Sequence, residues 1–134
     1  RQMCIRDSYK GDLKGRKVAV WGLAFKPETD DMREAPALVL IKSLLNEGCF
    51  ISVYDPVAME ECKRRIGDVV TYSQNMYDAV IEADAIFHVT EWKEFRMPSW
   101  GVIKKAMKDD PVLIDGRNVF SAADLEGITY LKIG

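Results

Sequence analysis

Three cationic side chains stand where anion chemistry would want them. Lys26 sits in Phe25-Lys26-Pro27, Arg33 in Asp30-Asp31-Met32-Arg33-Glu34, and Arg117 in Asp115-Gly116-Arg117-Asn118. A lysine ammonium is a compact charge with three rotating donors, and a proline after it stiffens the backbone that carries it, so Lys26 suits a phosphate or a carboxylate. A guanidinium offers a planar fork that two oxygens of one anion can share, and Gly116 frees the backbone before Arg117 to aim that fork inward. The residues alone leave duller readings open. Lys26 is equally a solvated lysine. Arg33, among Asp30, Asp31 and Glu34, is equally a surface ion pair of the kind that contributes little. Arg117 taken singly is a weak signal.

The other reactive residues point away from catalysis. His88, the single histidine, lies between Phe87 and Val89 in an apolar run and reads as a packed, hydrogen-bonded side chain. Cys4, Cys49 and Cys62 form no C-x-x-C pair and have no base beside them, which indicates a reducing, cytoplasmic setting rather than a disulfide frame or a metal site. No Ser-His-Asp arrangement or metal cluster is visible, so no catalytic and no metal-binding residue is assigned. Thr90-Glu91-Trp92-Lys93-Glu94-Phe95-Arg96 puts two aromatics among charges, a pattern expected of an exposed docking surface or a lid.

Strands and helices alternate along the chain to carry these residues. Lys17-Val18-Ala19-Val20-Trp21-Gly22 is a nearly continuous apolar run, as in a strand buried on both faces. The stretch from Gly22 to Pro36 is far longer than the roughly 2–6 residues that usually join a strand to a helix, and is read as functional. Pro36 opens a helix, because proline loses nothing in the first turn and disfavours helical geometry at Ala35. Ala37, Leu38, Leu40, Ile41, Leu44 and Leu45 supply its buried stripe, and Gly48 ends it. Phe50–Tyr54 is a second strand. Further helices are expected over 58–66, 76–82 and 99–107, and further strands over 69–72, 85–89, 112–114 and 128–133. This is an α/β pattern: a Rossmann-like, doubly wound, mainly parallel sheet of about five or six strands in a single domain. Ligands of such sheets gather beyond the carboxyl ends of the strands, where strand order reverses, which selects loops 23–35, 90–98 and 115–120.

Composition sets the outer bounds. A chain of 134 residues, 48% hydrophobic and 30% charged, is that of one soluble globular domain with a real core. A formal net charge of -2 argues against a nucleic-acid partner, and no apolar run approaches the roughly 20 residues that cross a bilayer. The G-x-G-x-x-G fingerprint that cradles a dinucleotide is absent, since Gly22 is followed by Leu23, Ala24 and Phe25. Asp55 ends the second strand where a ribose-binding acid would stand, although Asp-Pro is more often a turn opener.

Taken together, Gly22-Leu23-Ala24-Phe25-Lys26-Pro27 with Thr29-Asp30-Asp31-Met32-Arg33-Glu34, then Tyr54-Asp55-Pro56, then Thr90-Glu91-Trp92 with Asp115-Gly116-Arg117-Asn118, resemble one family. It is the UDP-glucose/GDP-mannose dehydrogenase family, in its carboxyl-terminal UDP-binding domain, over about residues 15–134. The Thr-Glu-Trp segment favours the UDP-glucose 6-dehydrogenases over their GDP-mannose and UDP-N-acetylmannosamine relatives. The resemblance implies a two-step, NAD-dependent oxidation of UDP-glucose to UDP-glucuronate through a cysteine thiohemiacetal and thioester. It places the reaction in a cleft between this domain and an amino-terminal domain that holds NAD, in an enzyme that is a homo-oligomer. It also implies that Phe25 and Lys26 contact the UDP-sugar, that Arg117 binds it from the loop after the fifth strand, and that Arg33 reaches the NAD of the other domain.

The sequence departs from the family by lacking its NAD fingerprint, its Gly-rich segment with the catalytic cysteine, and most of its central helix. Cys4, Cys49 and Cys62 match no catalytic cysteine. The expected division is a leader or linker over residues 1–14, disordered or foreign, and a UDP-sugar-binding domain over 15–134 that is inactive alone.

Overall fold

The period of two along Lys17–Trp21 decides the architecture. Val18 and Val20 point to one face and Ala19 and Trp21 to the other, and all four are fully buried, so this strand needs cover on both sides. The computed structural model describes residues 13–132; residues 1–12, most of the expected leader, and 133–134, the end of the expected closing strand, lie outside the described residues. Among the described residues six strands, β1 (Lys17–Trp21), β2 (Phe50–Tyr54), β3 (Thr71–Tyr72), β4 (Ala85–His88), β5 (Val112–Asp115) and β6 (Thr129–Lys132), form one sheet in the order β3-β2-β1-β4-β5-β6. Every neighbouring pair is parallel, and Val20 stands opposite Val53 on one side and Phe87 on the other.

Among the described residues four helices, α1 (Pro36–Asn46), α2 (Met59–Ile66), α3 (Met76–Ala79) and α4 (Trp100–Ala106), supply the cover. Leu40, Ile41 and Leu44 of α1 and Cys62 of α2 pack with Val18, Val20, Val53, Phe87 and Ile114 in one core. Met76 and Ala79 of α3 and Ile103 of α4 pack with Ala19, Trp21, Ile86 and Leu113 in the other. Leu13 is buried in the first core, its carbonyl accepting from the Arg16 N–H at 3.0 Å. The doubly wound parallel sheet is therefore as expected, with six strands.

Local chemistry sets most element ends where the residues place them. Pro36 begins α1 after an extended Ala35, and Gly48 follows it with φ +87°. The Asn75 side chain accepts from the N–H groups of Tyr77 and Asp78 and so caps α3, and Ser99 does the same for α4 through Val102. Several boundaries differ from expectation by a residue or more, and three of them are instructive. The strand expected over 69–72 pairs only at Thr71 and Tyr72, because it lies at the sheet edge and Val69 is exposed. The helix expected over 76–82 stops at Ala79, where Glu82 takes φ +58° and its N–H turns to the Ala106 carbonyl at 2.7 Å. The strand expected over 112–114 runs on to Asp115, which pairs with His88.

Strand order reverses between β1 and β4, and the two loops leaving these strands are locked together. Gly22 has φ +94°, and a Cβ there would overlap the Thr90 backbone and side chain. The Thr90 hydroxyl donates to the Ala24 carbonyl at 2.7 Å, and the Val89 N–H donates to the Trp21 carbonyl at 2.9 Å. Gly22→Ala should therefore cost about 2–5 kcal/mol from backbone strain and overlap combined. Urea denaturation checks this, and an unaltered midpoint would show that the two loops part easily.

Candidate functional site

The carboxyl edge of the sheet is organised by buried carboxylates. Asp55, at the end of β2, is fully buried. Its Oδ2 accepts from the N–H groups of Leu23 (2.7 Å) and Ala24 (3.1 Å) and from Trp92 Nε1 (3.1 Å). Its Oδ1 accepts from the N–H groups of Val57 and Ala58, both at 2.8 Å. The turn-opening reading of Asp-Pro accounts for Val57 and Ala58. The contacts to the β1 and β4 loops, from residues 31 to 37 positions away in sequence, have no local signal.

The loop after β1 is pinned at its ends and open at its tip. Leu23, Ala24, Met32 and Ala35 are buried, and the Phe25 N–H donates to the Asp31 carbonyl at 2.8 Å. Phe25 is 53% exposed, and Lys26 is exposed and makes no hydrogen bond or ion pair among the described residues. Arg33 is held by its own loop: Nε and Nη2 reach Asp31 Oδ1 and Oδ2 at 3.1 and 3.0 Å. That side-chain hydrogen bonding holds the Asp31 carboxyl down at about 2. Phe25 and Arg33 line one open depression with Asp31 and Glu34.

Arg117 lies apart from that depression, against a small pocket with Pro36, Leu40, Val89 and Gly116. Its guanidinium meets Glu91 at 3.2 Å, both side chains being about one-third exposed. The loop that carries it converges on Asp115, fully buried at the end of β5, which also meets His88 Nδ1 at 3.1 Å. Burial opposes ionisation of Asp115, but hydrogen bonds from His88, Tyr130 and the N–H groups of Arg117 and Phe120 outweigh it and hold the carboxyl well below the usual carboxylate range. His88 is the packed, hydrogen-bonded histidine expected, at the price of one buried nitrogen, Nε2, that has no partner.

The aromatic loop after β4 corrects an expectation. Trp92 and Phe95 are 6% and 0% exposed, so they form no docking surface or lid. A 3₁₀ turn over Lys93–Phe95 sends both rings inward: Trp92 caps Asp55, and Phe95 stacks on Trp21 with ring centroids 5.3 Å apart. Lys93, Glu94 and Arg96 take the water. Cys49 and Cys62 are buried, which pushes their thiols up and away from nucleophile behaviour, and Cys4 lies outside the described residues. No metal cluster occurs among the described residues.

The same geometry tests whether this domain could hold a dinucleotide at its own first turn. A pyrophosphate there needs free backbone N–H groups beyond β1 and space above the glycine. Here the Leu23 and Ala24 N–H groups are taken by Asp55, and Thr90 fills the space above Gly22. The residues do not fit NAD in that position.

A Rossmann-like domain with a filled dinucleotide turn and a polar, cation-bearing carboxyl edge is thus the class defined by fold and site. By sequence the chain belongs to the UDP-glucose/GDP-mannose dehydrogenase family, the profile of whose UDP binding domain matches residues 19–122. It is 44% identical over 137 residues to the UDP-glucose 6-dehydrogenase of Pseudomonas aeruginosa, covering 97% of this chain and 30% of that protein. It is 40% identical over 126 residues to the UDP-glucose 6-dehydrogenase of Rhizobium meliloti, covering 92% and 28%. A UDP-glucose dehydrogenase structure from Pyrobaculum islandicum superposes with TM-score 0.79 at 31% identity, over 96% of this chain and 27% of that one. An NDP-N-acetyl-D-galactosaminuronic acid dehydrogenase from Methanosarcina mazei superposes with TM-score 0.83 at 28% identity, over 98% and 27%. The chain spans at most about 30% of the length of these relatives.

Two outcomes test the electrostatics of this edge. Asp55→Ala strands five donors, each worth about 1–3 kcal/mol if left dry, and with water entering should cost roughly 3 kcal/mol or more, with Trp92 fluorescence shifted to the red. Arg33→Ala should return the Asp31 carboxyl from about 2 toward its ordinary value in an NMR titration, since Arg33 is the main cause of its depression. An Asp31 titration unmoved by that substitution would show that the pair does not form.

Proposed function

We propose that this domain is the UDP-sugar half of an NAD-dependent UDP-glucose 6-dehydrogenase, with the nucleotide sugar held at the carboxyl edge by Phe25, Lys26 and Arg117. The observation that carries this reading is the tip of the β1 loop, where the rigidly rooted Phe25 and Lys26 face solvent and the ammonium has no partner among the described residues. A cation so placed is free to meet a diphosphate. The identity to UDP-glucose 6-dehydrogenases over nearly the whole chain supports the substrate class, and UDP-glucose is favoured over GDP-mannose or UDP-N-acetylmannosamine.

On this reading residues 15–134 bind and the 1–14 stretch leads into them, while NAD and the catalytic cysteine belong to residues outside this sequence. Arg33 would leave Asp31 to reach across the cleft toward that NAD. The domain alone binds without turnover, and the whole enzyme is a cytoplasmic homo-oligomer that makes UDP-glucuronate. What this chain contributes is orientation: one aromatic face and two cations fix the diphosphate so that the sugar projects into the cleft.

Titration calorimetry with UDP and UDP-glucuronate should show binding, weaker than in a complete cleft, with GDP bound less tightly. Lys26→Ala and Arg117→Ala should each weaken it about 10-fold or more, the usual loss of a hydrogen bond to a charged group. Glu91→Gln should tighten it, because the carboxylate that competes with phosphate for Arg117 is gone. Absence of UDP binding at millimolar concentration, or unchanged affinity in both alanine variants, overturns the assignment.

A further inference from the structure

The end of β5 is drawn into a knot that the binding of an anion by Arg117 does not by itself explain. Asp115 Oδ1 accepts from the N–H groups of Arg117 (3.0 Å) and Asn118 (2.9 Å), and Oδ2 accepts from those of Val119 (2.9 Å) and Phe120 (3.1 Å) and from the Tyr130 hydroxyl (2.7 Å). Four successive backbone donors thus converge on one carboxylate. Regular structure resumes only at the 3₁₀ turn Ala122–Asp124, and Asn118 has φ +59°, so the course of this loop is set by Asp115. The remaining N–H, that of Gly116, goes to the His88 carbonyl at 3.0 Å.

His88 is the unexpected member. Its ring is fully buried between Phe95 and Phe120, with centroids 5.8 and 4.9 Å away, and Nε2 has no hydrogen-bond partner. Phenylalanine would pack there without stranding a polar atom. What imidazole adds is one N–H. An ionised Asp115 can only accept, so Nδ1 carries a proton toward it, while Nε2 makes no hydrogen bond among the described residues.

We infer that His88 and Asp115 are positioning residues for Arg117: the imidazole N–H fixes the Asp115 carboxylate, and the carboxylate fixes the loop from which the guanidinium reaches its anion. The inference rests on reading Arg117 as a UDP contact, and it deepens that reading by extending the binding apparatus to a residue that touches no ligand. The groups facing the pair are the Tyr130 hydroxyl from β6, the rings of Phe95 and Phe120, and the N–H groups of residues 117–120.

The test uses the full 134-residue chain with UDP as the probe. His88→Phe keeps the ring and removes the donor; His88→Asn restores a donor near the Nδ1 position. In His88→Phe, hydrogen exchange at the amides of Arg117–Phe120 should rise at least about 10-fold while β1 exchange stays as in wild type, and UDP affinity should fall about 5-fold. His88→Asn should recover part of both. In an Arg117→Ala background His88→Phe should leave UDP affinity unchanged, because the two residues act as one unit. Wild-type exchange at 117–120 in His88→Phe overturns the inference, as does an affinity loss that persists in full without Arg117. Should the wild-type chain bind no UDP while loop exchange responds as expected, the positioning role is upheld and it is the UDP reading that falls. Should His88→Phe fail to fold, His88→Asn against His88→Ser decides by the same two measurements.

Discussion

The fold closes on the Asp55 carboxylate. Five donors from three loops meet on its two oxygens, and removing it would leave buried N–H groups after β1, after β2 and on Trp92 without acceptors. A sheet with this strand order leaves a crevice where the order reverses, and backbone donors lining such a crevice must be satisfied by a ligand, by water or by the protein. This chain uses the protein. Its own carboxylate occupies the donors that a phosphate would otherwise need, and Thr90 closes the space above Gly22. With the crevice filled from inside, the exposed side chains of this edge stand outward on its loops, which is where the proposed contacts Phe25, Lys26 and Arg117 lie.

Asp115 repeats the device on the other side of the switch point. The loop that bears Lys26 and the loop that bears Arg117 are each rooted by a fully buried aspartate at the end of a strand. The root supplies precision and the tip supplies chemistry. Exposed cations on unrooted loops would sample many positions and contribute little to a bound anion, because ordering them on binding costs conformational entropy.

The elements were largely legible in the sequence because their signals are local. Pro36 and Gly48 bracket α1, and the apolar run of β1 marks a strand covered on both faces. The pinning of the site was not legible. Asp55 is read locally as a turn opener and Asp115 only as the start of a loop, but their decisive partners come from Leu23, Ala24 and Trp92 in one case and from His88 and Tyr130 in the other. Nothing in the spacing announces those meetings. The Thr90–Arg96 segment misled for a related reason. Charges interleaved with aromatics suggest exposure, whereas a single tight turn separates them, with Trp92 and Phe95 inward and Lys93, Glu94 and Arg96 outward. The orphan nitrogen of His88 is equally invisible before the rings of Phe95 and Phe120 are in place.

Two of the three cations of the proposed site carry a neutralising carboxylate within their own neighbourhood, Arg33 with Asp31 and Arg117 with Glu91. Such pairs look almost uncharged from more than a Debye length of roughly 8 Å. On a chain whose formal net charge is -2, these two pairs add little long-range field to draw anions in. On the proposed reading, an anion at Arg33 or Arg117 would be selected after contact, by whether its oxygens displace the resident acids. In a solution crowded with phosphate esters, that arrangement would keep the edge from being filled by whichever anion is most abundant.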